Sequence, residues 1–159
     1  MNNDEAIAAV IVQSVDFLQD NAYGMKALKD WITWGDEANR HRVLKLGNEH
    51  SRMNYDDIIV KMEDLLEEAQ IMAPVDMYLY RETSYPCTET PLLIPTTARK
   101  EYTGSFGDKH YQVFIPKGTK LFYVSARDLV LGMPNDETEE EFLLAPACTH
   151  LVDGILHLK

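Results

Sequence analysis

The chain has 159 residues, 45% of them apolar and 26% charged, with a formal net charge of −11. That length and balance suit a single globular domain with a hydrophobic core of useful size. The acidic excess argues against binding to nucleic acid backbones or anionic membranes, since both repel it.

The first half reads as helices. Asn3 and Asp4 are candidate caps for a first helix, with Ile7, Val10, Ile11, Val15 and Leu18 recurring at helical spacing. Turn-forming residues over 21–24 close it. A short second segment over 25–34 carries Leu28, Trp31 and Ile32 on one side, and Trp31 and Trp34 read as core anchors. Gly35-Asp36 is expected to break that segment, and Asp36 to open a third helix that runs to Leu46 and stops at Gly47-Asn48. The clearest helix spans 55–70. Asn54 caps it, Asp56 and Asp57 complement the positive end of its dipole, and Ile58, Ile59, Met62, Leu65, Leu66 and Ala69 form its apolar stripe.

Pro74 ends the helical part, and the composition then turns to β-formers. Strands are expected over 75–81, 92–97, 111–115, 120–125 and 141–144, with a further candidate over 151–158. The turn Pro116-Lys117-Gly118-Thr119 suggests that residues 111–125 form a hairpin. The expected organisation is α+β in one domain over 1–159, with a helical layer (1–72) packed on a β-rich core (73–159).

The two cysteines, Cys87 and Cys148, and the five scattered histidines show neither a disulfide framework nor a metal-ligand spacing. Reduced thiols in a cytoplasmic setting and no bound metal are therefore expected. The first five residues contain no basic cluster of the kind that opens a secretory leader. The apolar stretch over 7–15 is too short to cross a bilayer, so no membrane partner is expected.

The candidate chemistry lies in Glu139-Glu140-Glu141-Phe142-Leu143-Leu144-Ala145-Pro146. On a strand, residues two apart share a face, so Glu139 and Glu141 would aim together at one site. Paired carboxylates suit a reaction in which positive charge develops on a sugar ring and a nucleophile must lose a proton. Arg81 closes the strand Met77-Tyr78-Leu79-Tyr80-Arg81. It is either a surface ion-pair partner or a planar fork for a phosphate. Thr96 and Thr97 are either site hydroxyls or ordinary β-formers.

Taken in order, Leu79-Tyr80-Arg81, Pro95-Thr96-Thr97 and Glu139-x-Glu141-Phe-Leu-Leu-x-Pro resemble the mono-ADP-ribosyltransferases of the arginine-serine-glutamate clade, over roughly residues 54–150. The resemblance implies a split β-sheet core and NAD as substrate, with no metal. Arg81, Thr96, Thr97 and Ser125 would bind NAD. Glu141 would be the principal catalytic carboxylate, with Glu139 preparing the acceptor. A glutamate at the position of Glu139 goes with arginine as that acceptor, and a protein in the cytoplasm of a host cell would be the target of a phage, viral or effector enzyme. The loop over 126–138, with Leu129, Val130, Leu131 and Met133, would face the protein substrate, or else form a buried short helix. The departure is Pro95, which stands where the clade has its first serine and has neither hydroxyl nor N–H. It leaves open a protein that keeps the fold, has lost catalysis and binds a host partner.

Overall fold

The computed structural model describes residues 1–44, 54–100, 109–133 and 140–159. Among these, helices α1 (Asn3–Leu18), α2 (Ala22–Leu44) and α3 (Tyr55–Ala69) precede strands β1 (Met77–Thr83), β2 (Leu92–Thr97), β3 (Lys109–Ile115) and β4 (Leu121–Tyr123). A short helix α4 (Ala126–Val130) follows, then β5 (Glu141–Ala147), β6 (Thr149–Val152) and β7 (Ile155–Leu158). The architecture is α+β, with helices in the first half and a mixed sheet in the second. Among the described residues, no helix is long and apolar enough to cross a membrane.

The sheet order is β4-β5-β2-β1-β3-β7-β6, antiparallel except where β3 meets β7. It is split. β1 and β3 pair along seven positions, whereas β1 and β2 meet through the single pair Tyr80↔Thr97. One half is therefore β4-β5-β2 and the other β1-β3-β7-β6, hinged at that pair.

The residues 111–125 do not form the expected hairpin. The turn at Pro116–Thr119 exists, with Gly118 at φ 90° and the Thr119 N–H donating to the Pro116 carbonyl. Its backbone, however, bonds to Ala73 on both sides, Gly118 N–H to the Ala73 carbonyl and Ala73 N–H to the Thr119 carbonyl. The chain emerging from α3 thus occupies the place a hairpin partner would take, and β4 crosses to pair with β5. The expected strand over 151–158 is instead a hairpin of β6 and β7. Asp153 and Gly154, at φ 51° and 80°, make the two-residue turn.

The helices correct the sequence reading in three further places. Asn2, not Asn3, caps α1, in a capping box with Glu5. Asn3 turns away and docks on β1, its side chain donating to the Tyr78 carbonyl at 3.0 Å and accepting the Tyr78 N–H at 2.7 Å. The residues 21–24 do not close α1. The Asn21 side chain accepts the Gly24 N–H at 2.9 Å, in the manner of a cap opening α2. α2 then runs through Gly35-Asp36 without interruption, so the expected break there is absent. α3 matches expectation, with Asn54 accepting the Asp57 N–H.

α1 spans both halves of the sheet. One end is held at Tyr78 of β1. Further along, buried Ser14 donates its hydroxyl to the Val10 carbonyl and accepts the Tyr123 N–H of β4 at 3.0 Å. Eleven residues of helix separate the two anchors, a rigid span of about 17 Å. Ala6, Val10 and Leu18 on the same helix are buried in the core with Phe122, Phe142, Leu143 and Met62.

Replacing Ser14 with Ala removes an acceptor from a buried backbone N–H. Ser14→Ala is expected to lower the unfolding free energy by about 1–3 kcal/mol, measured by urea denaturation.

Candidate active site

The hinge between the sheet halves collects the chemistry-bearing residues. Thr97, at the end of β2, lies opposite Tyr80 of β1 on one side and opposite Glu141 of β5 on the other. Directly opposed residues on antiparallel strands carry their side chains on the same face. Thr97 and Glu141 are therefore neighbours across the β2–β5 ladder. Glu141 is half-buried and Thr97 is buried.

Arg81 follows Tyr80. Its Nη1 donates to the Pro95 carbonyl at 2.8 Å. Part of its surface stays open, yet the guanidinium is densely surrounded by protein atoms, and that burial pushes its pKa down to about 10. Asp36 of α2 and Glu141 act in the opposite sense and favour the charged form. Arg81 therefore remains cationic at neutral pH.

Pro95 now has a structural explanation. On an antiparallel strand a residue's N–H and C=O point to the same side. The Pro95 carbonyl accepts from Arg81, so the missing N–H also faces β1. β1 makes no ladder with β2 at that level, and an inner-strand proline leaves no broken bond.

Thr96 points its hydroxyl into the scaffold, donating to the Phe142 carbonyl at 2.7 Å. Thr97 Oγ1 accepts the Arg99 N–H and shapes the exit from β2. Ser125 opens α4 without a side-chain capping bond, and its neighbour Val124 donates its N–H to the Glu141 carbonyl at 2.9 Å. The structure thus brings Arg81, Thr97, Ser125 and Glu141 to one junction, with Thr96 just beneath. Glu139 lies outside the described residues. Glu140, at φ 41°, precedes the start of β5, so the strand alternation used to align Glu139 with Glu141 does not extend back through it.

Two residues of α2 join the site that the sequence reading left out. Trp31 is buried as expected of a core anchor, but its Nε1–H also donates to Glu141 Oε2 at 2.9 Å. Asp36 adds a negative charge near Arg81. Neither carries a local signal, because each depends on how α2 lies over the sheet. Of the apolar residues after β4, Val130 packs against the core, while Leu129, Leu131 and Met133 are exposed. A cleft of about 210 Å³ lined by Tyr80, Lys100, His110, Tyr111 and Gln112 lies beside the junction and includes none of Arg81, Thr97 or Glu141.

Helices followed by a split sheet have structural counterparts among solved proteins. The Clostridium limosum C3 exoenzyme superposes with a TM-score of 0.62 at 12% identity, over 99% of this chain and 93% of that one. C3stau2 from S. aureus, solved with NAD, gives 0.61 at 10% identity, over 99% and 94%. The chain has the ADP-ribosyltransferase fold. Exoenzyme S from Pseudomonas aeruginosa, solved in complex with human 14-3-3 protein beta and bound to Carba-NAD, shares it with a TM-score of 0.56 at 13% identity, over 98% and 86%. No protein-family model matches the sequence, and no curated protein matches it.

Within this ADP-ribosyltransferase fold, Thr96 is a scaffold contact. Thr96→Val preserves shape but leaves the Phe142 carbonyl without that donor. It is expected to cost about 1 kcal/mol in chemical denaturation.

Proposed function

We propose that this chain is a mono-ADP-ribosyltransferase that takes NAD as substrate and transfers ADP-ribose to a protein, arginine being the favoured acceptor. The observation that carries the reading is the hinge. Arg81, Thr97 and Glu141 converge there, on a fold that C3stau2 shares and in which C3stau2 was solved with NAD.

The residues suit the chemistry. Arg81 is a cation with a planar fork of donors, matched to a pyrophosphate or ribose-phosphate oxygen pair. Thr97 lies across the ladder from Glu141, and Ser125 follows Val124, whose N–H donates to the Glu141 carbonyl. Glu141 presents a carboxylate beside the cation. As the nicotinamide–ribose bond breaks, positive charge develops on the ribose, and a fixed carboxylate stabilises it. Glu139, two residues earlier in the chain, takes a proton from the incoming guanidinium. Thr96 holds β5 against β2 and so keeps Glu141 in register.

The target is a protein inside a host cell, with the enzyme working in the cytoplasm as a phage, viral or effector protein. The complex of exoenzyme S with human 14-3-3 protein supports protein partners for this fold. The net charge of −11 suits a basic protein surface better than a nucleic acid. A second reading, a non-catalytic member that binds a host partner, is favoured by Pro95, which supplies no hydroxyl on β2 and lies opposite Leu143.

Incubating the protein with labelled NAD and a cell lysate separates the two. The transferase labels a protein band, and Glu141→Gln lowers labelling and NAD hydrolysis at least about 100-fold. Arg81→Lys keeps the charge but loses the fork, and raises the dissociation constant for NAD about tenfold. NAD binding by calorimetry with no labelling and no hydrolysis would support the non-catalytic reading.

Glu139→Gln tests the acceptor. NAD hydrolysis is expected to stay within about threefold of wild type, while transfer to a guanidino compound such as agmatine falls at least about 100-fold. Equal loss of both activities would contradict the proposed division of labour.

A further inference from the structure

We propose that Trp31 is a positioning residue for Glu141, and that Gly35 is glycine because the Trp31 ring needs its space. The inference rests on the transferase reading of Glu141. It begins with a local anomaly. Gly35 lies inside the 23-residue helix α2, where glycine is about 1 kcal/mol less favourable than alanine. A Cβ built on Gly35 would stand 2.6–2.8 Å from Cδ2, Cε2 and Cε3 of the Trp31 ring, one helical turn earlier. These are atoms at the body of the indole, not the far end of a flexible side chain. The ring takes the place that the Cβ of any other residue would fill.

That placement has a consequence at the site. With the ring against Gly35, its Nε1–H reaches Glu141 Oε2 at 2.9 Å, across 110 positions of sequence. A hydrogen bond to an ionised carboxylate is charge-assisted and directional. It restricts the last torsion of Glu141 and so the direction in which the carboxylate presents its charge. α2 itself is tied down on both sides. Asn39 Nδ2 donates to the Leu93 carbonyl of β2 at 2.9 Å, and Arg42 pairs with Glu63 of α3 at 2.9 Å. The indole is therefore held from a fixed helix. Pro95, on the same strand as Thr97, contributes no hydroxyl, and the indole N–H reaches the carboxylate from the helical layer instead.

Orientation of a carboxylate toward a charge that exists only in the transition state acts on turnover more than on binding. Trp31→Phe keeps an aromatic body and removes the N–H. The expected result is a kcat for NAD hydrolysis about tenfold lower, with KM within about twofold of wild type. Gly35→Ala improves local helix propensity yet displaces the ring, and is expected to reproduce the kcat loss. Trp34→Phe, three residues along the same helix, leaves both constants unchanged. The Trp31 indole N–H resonance in NMR shifts on Glu141→Gln.

Wild-type kcat in both Trp31→Phe and Gly35→Ala, with Glu141→Gln inactive, would overturn the positioning role and leave the transferase reading standing. An indole resonance that ignores Glu141→Gln would overturn it as well. A wild-type protein without NAD turnover would overturn the transferase reading, and the role of Trp31 in turnover with it. Should Trp31→Phe fail to fold, Gly35→Ala decides the matter.

Discussion

The structure depends on a gap in its own sheet. β1 and β2 are neighbours in the strand order, yet they touch through one residue pair, Tyr80↔Thr97. Beyond that pair there is no backbone ladder, and a side chain takes over: Arg81 reaches across to the carbonyl of Pro95. A guanidinium in such a place is costly, as its lowered pKa records, and two carboxylates, Asp36 and Glu141, offset part of the cost. The same gap makes the arginine a structural bridge between the two halves. Scaffold and candidate chemistry share one residue here.

A hinged sheet needs an outside brace, and the helical layer provides it. α1 fastens to β1 through Asn3 and to β4 through Ser14, one anchor on each half. α2 fastens to β2 through Asn39 and to β5 through Trp31. Most of these ties are single polar side chains meeting backbone groups at strand positions, and buried backbone groups left without partners cost free energy. The layer thus does more than cover an apolar face. It sets how the two halves sit at the hinge, and so where Arg81 and Glu141 stand relative to each other.

Much of this was legible in the sequence. α3 announced itself by Asn54, its two aspartates and a regular apolar stripe, and β2 by the strand formers on either side of Pro95. Arg81, Thr97 and Glu141 were legible as a set through their order along the chain. The misreadings share a cause. Gly35-Asp36 carries every local mark of a helix break, but packing of the Trp31 ring outweighs the cost of one internal glycine. Pro116–Thr119 carries the marks of a hairpin turn, but Ala73 claims its backbone groups first. Asp153-Gly154 was a strong hairpin signal inside a stretch too short to look like two strands.

Local chemistry settled what each segment could become. Caps, apolar spacing and β-branched runs decide helix and strand within a few residues of themselves, and those forces act along the chain. The sequence alone therefore determined a helical half, a sheet half and which residues carry reactive groups. Only the tertiary structure decided that Thr97 faces Glu141, that Arg81 spans the split, and that an indole 110 residues away holds the carboxylate. These relations depend on strand order, on a missing ladder and on the lie of one helix. All three follow from how the whole core packs, which no short window of residues contains.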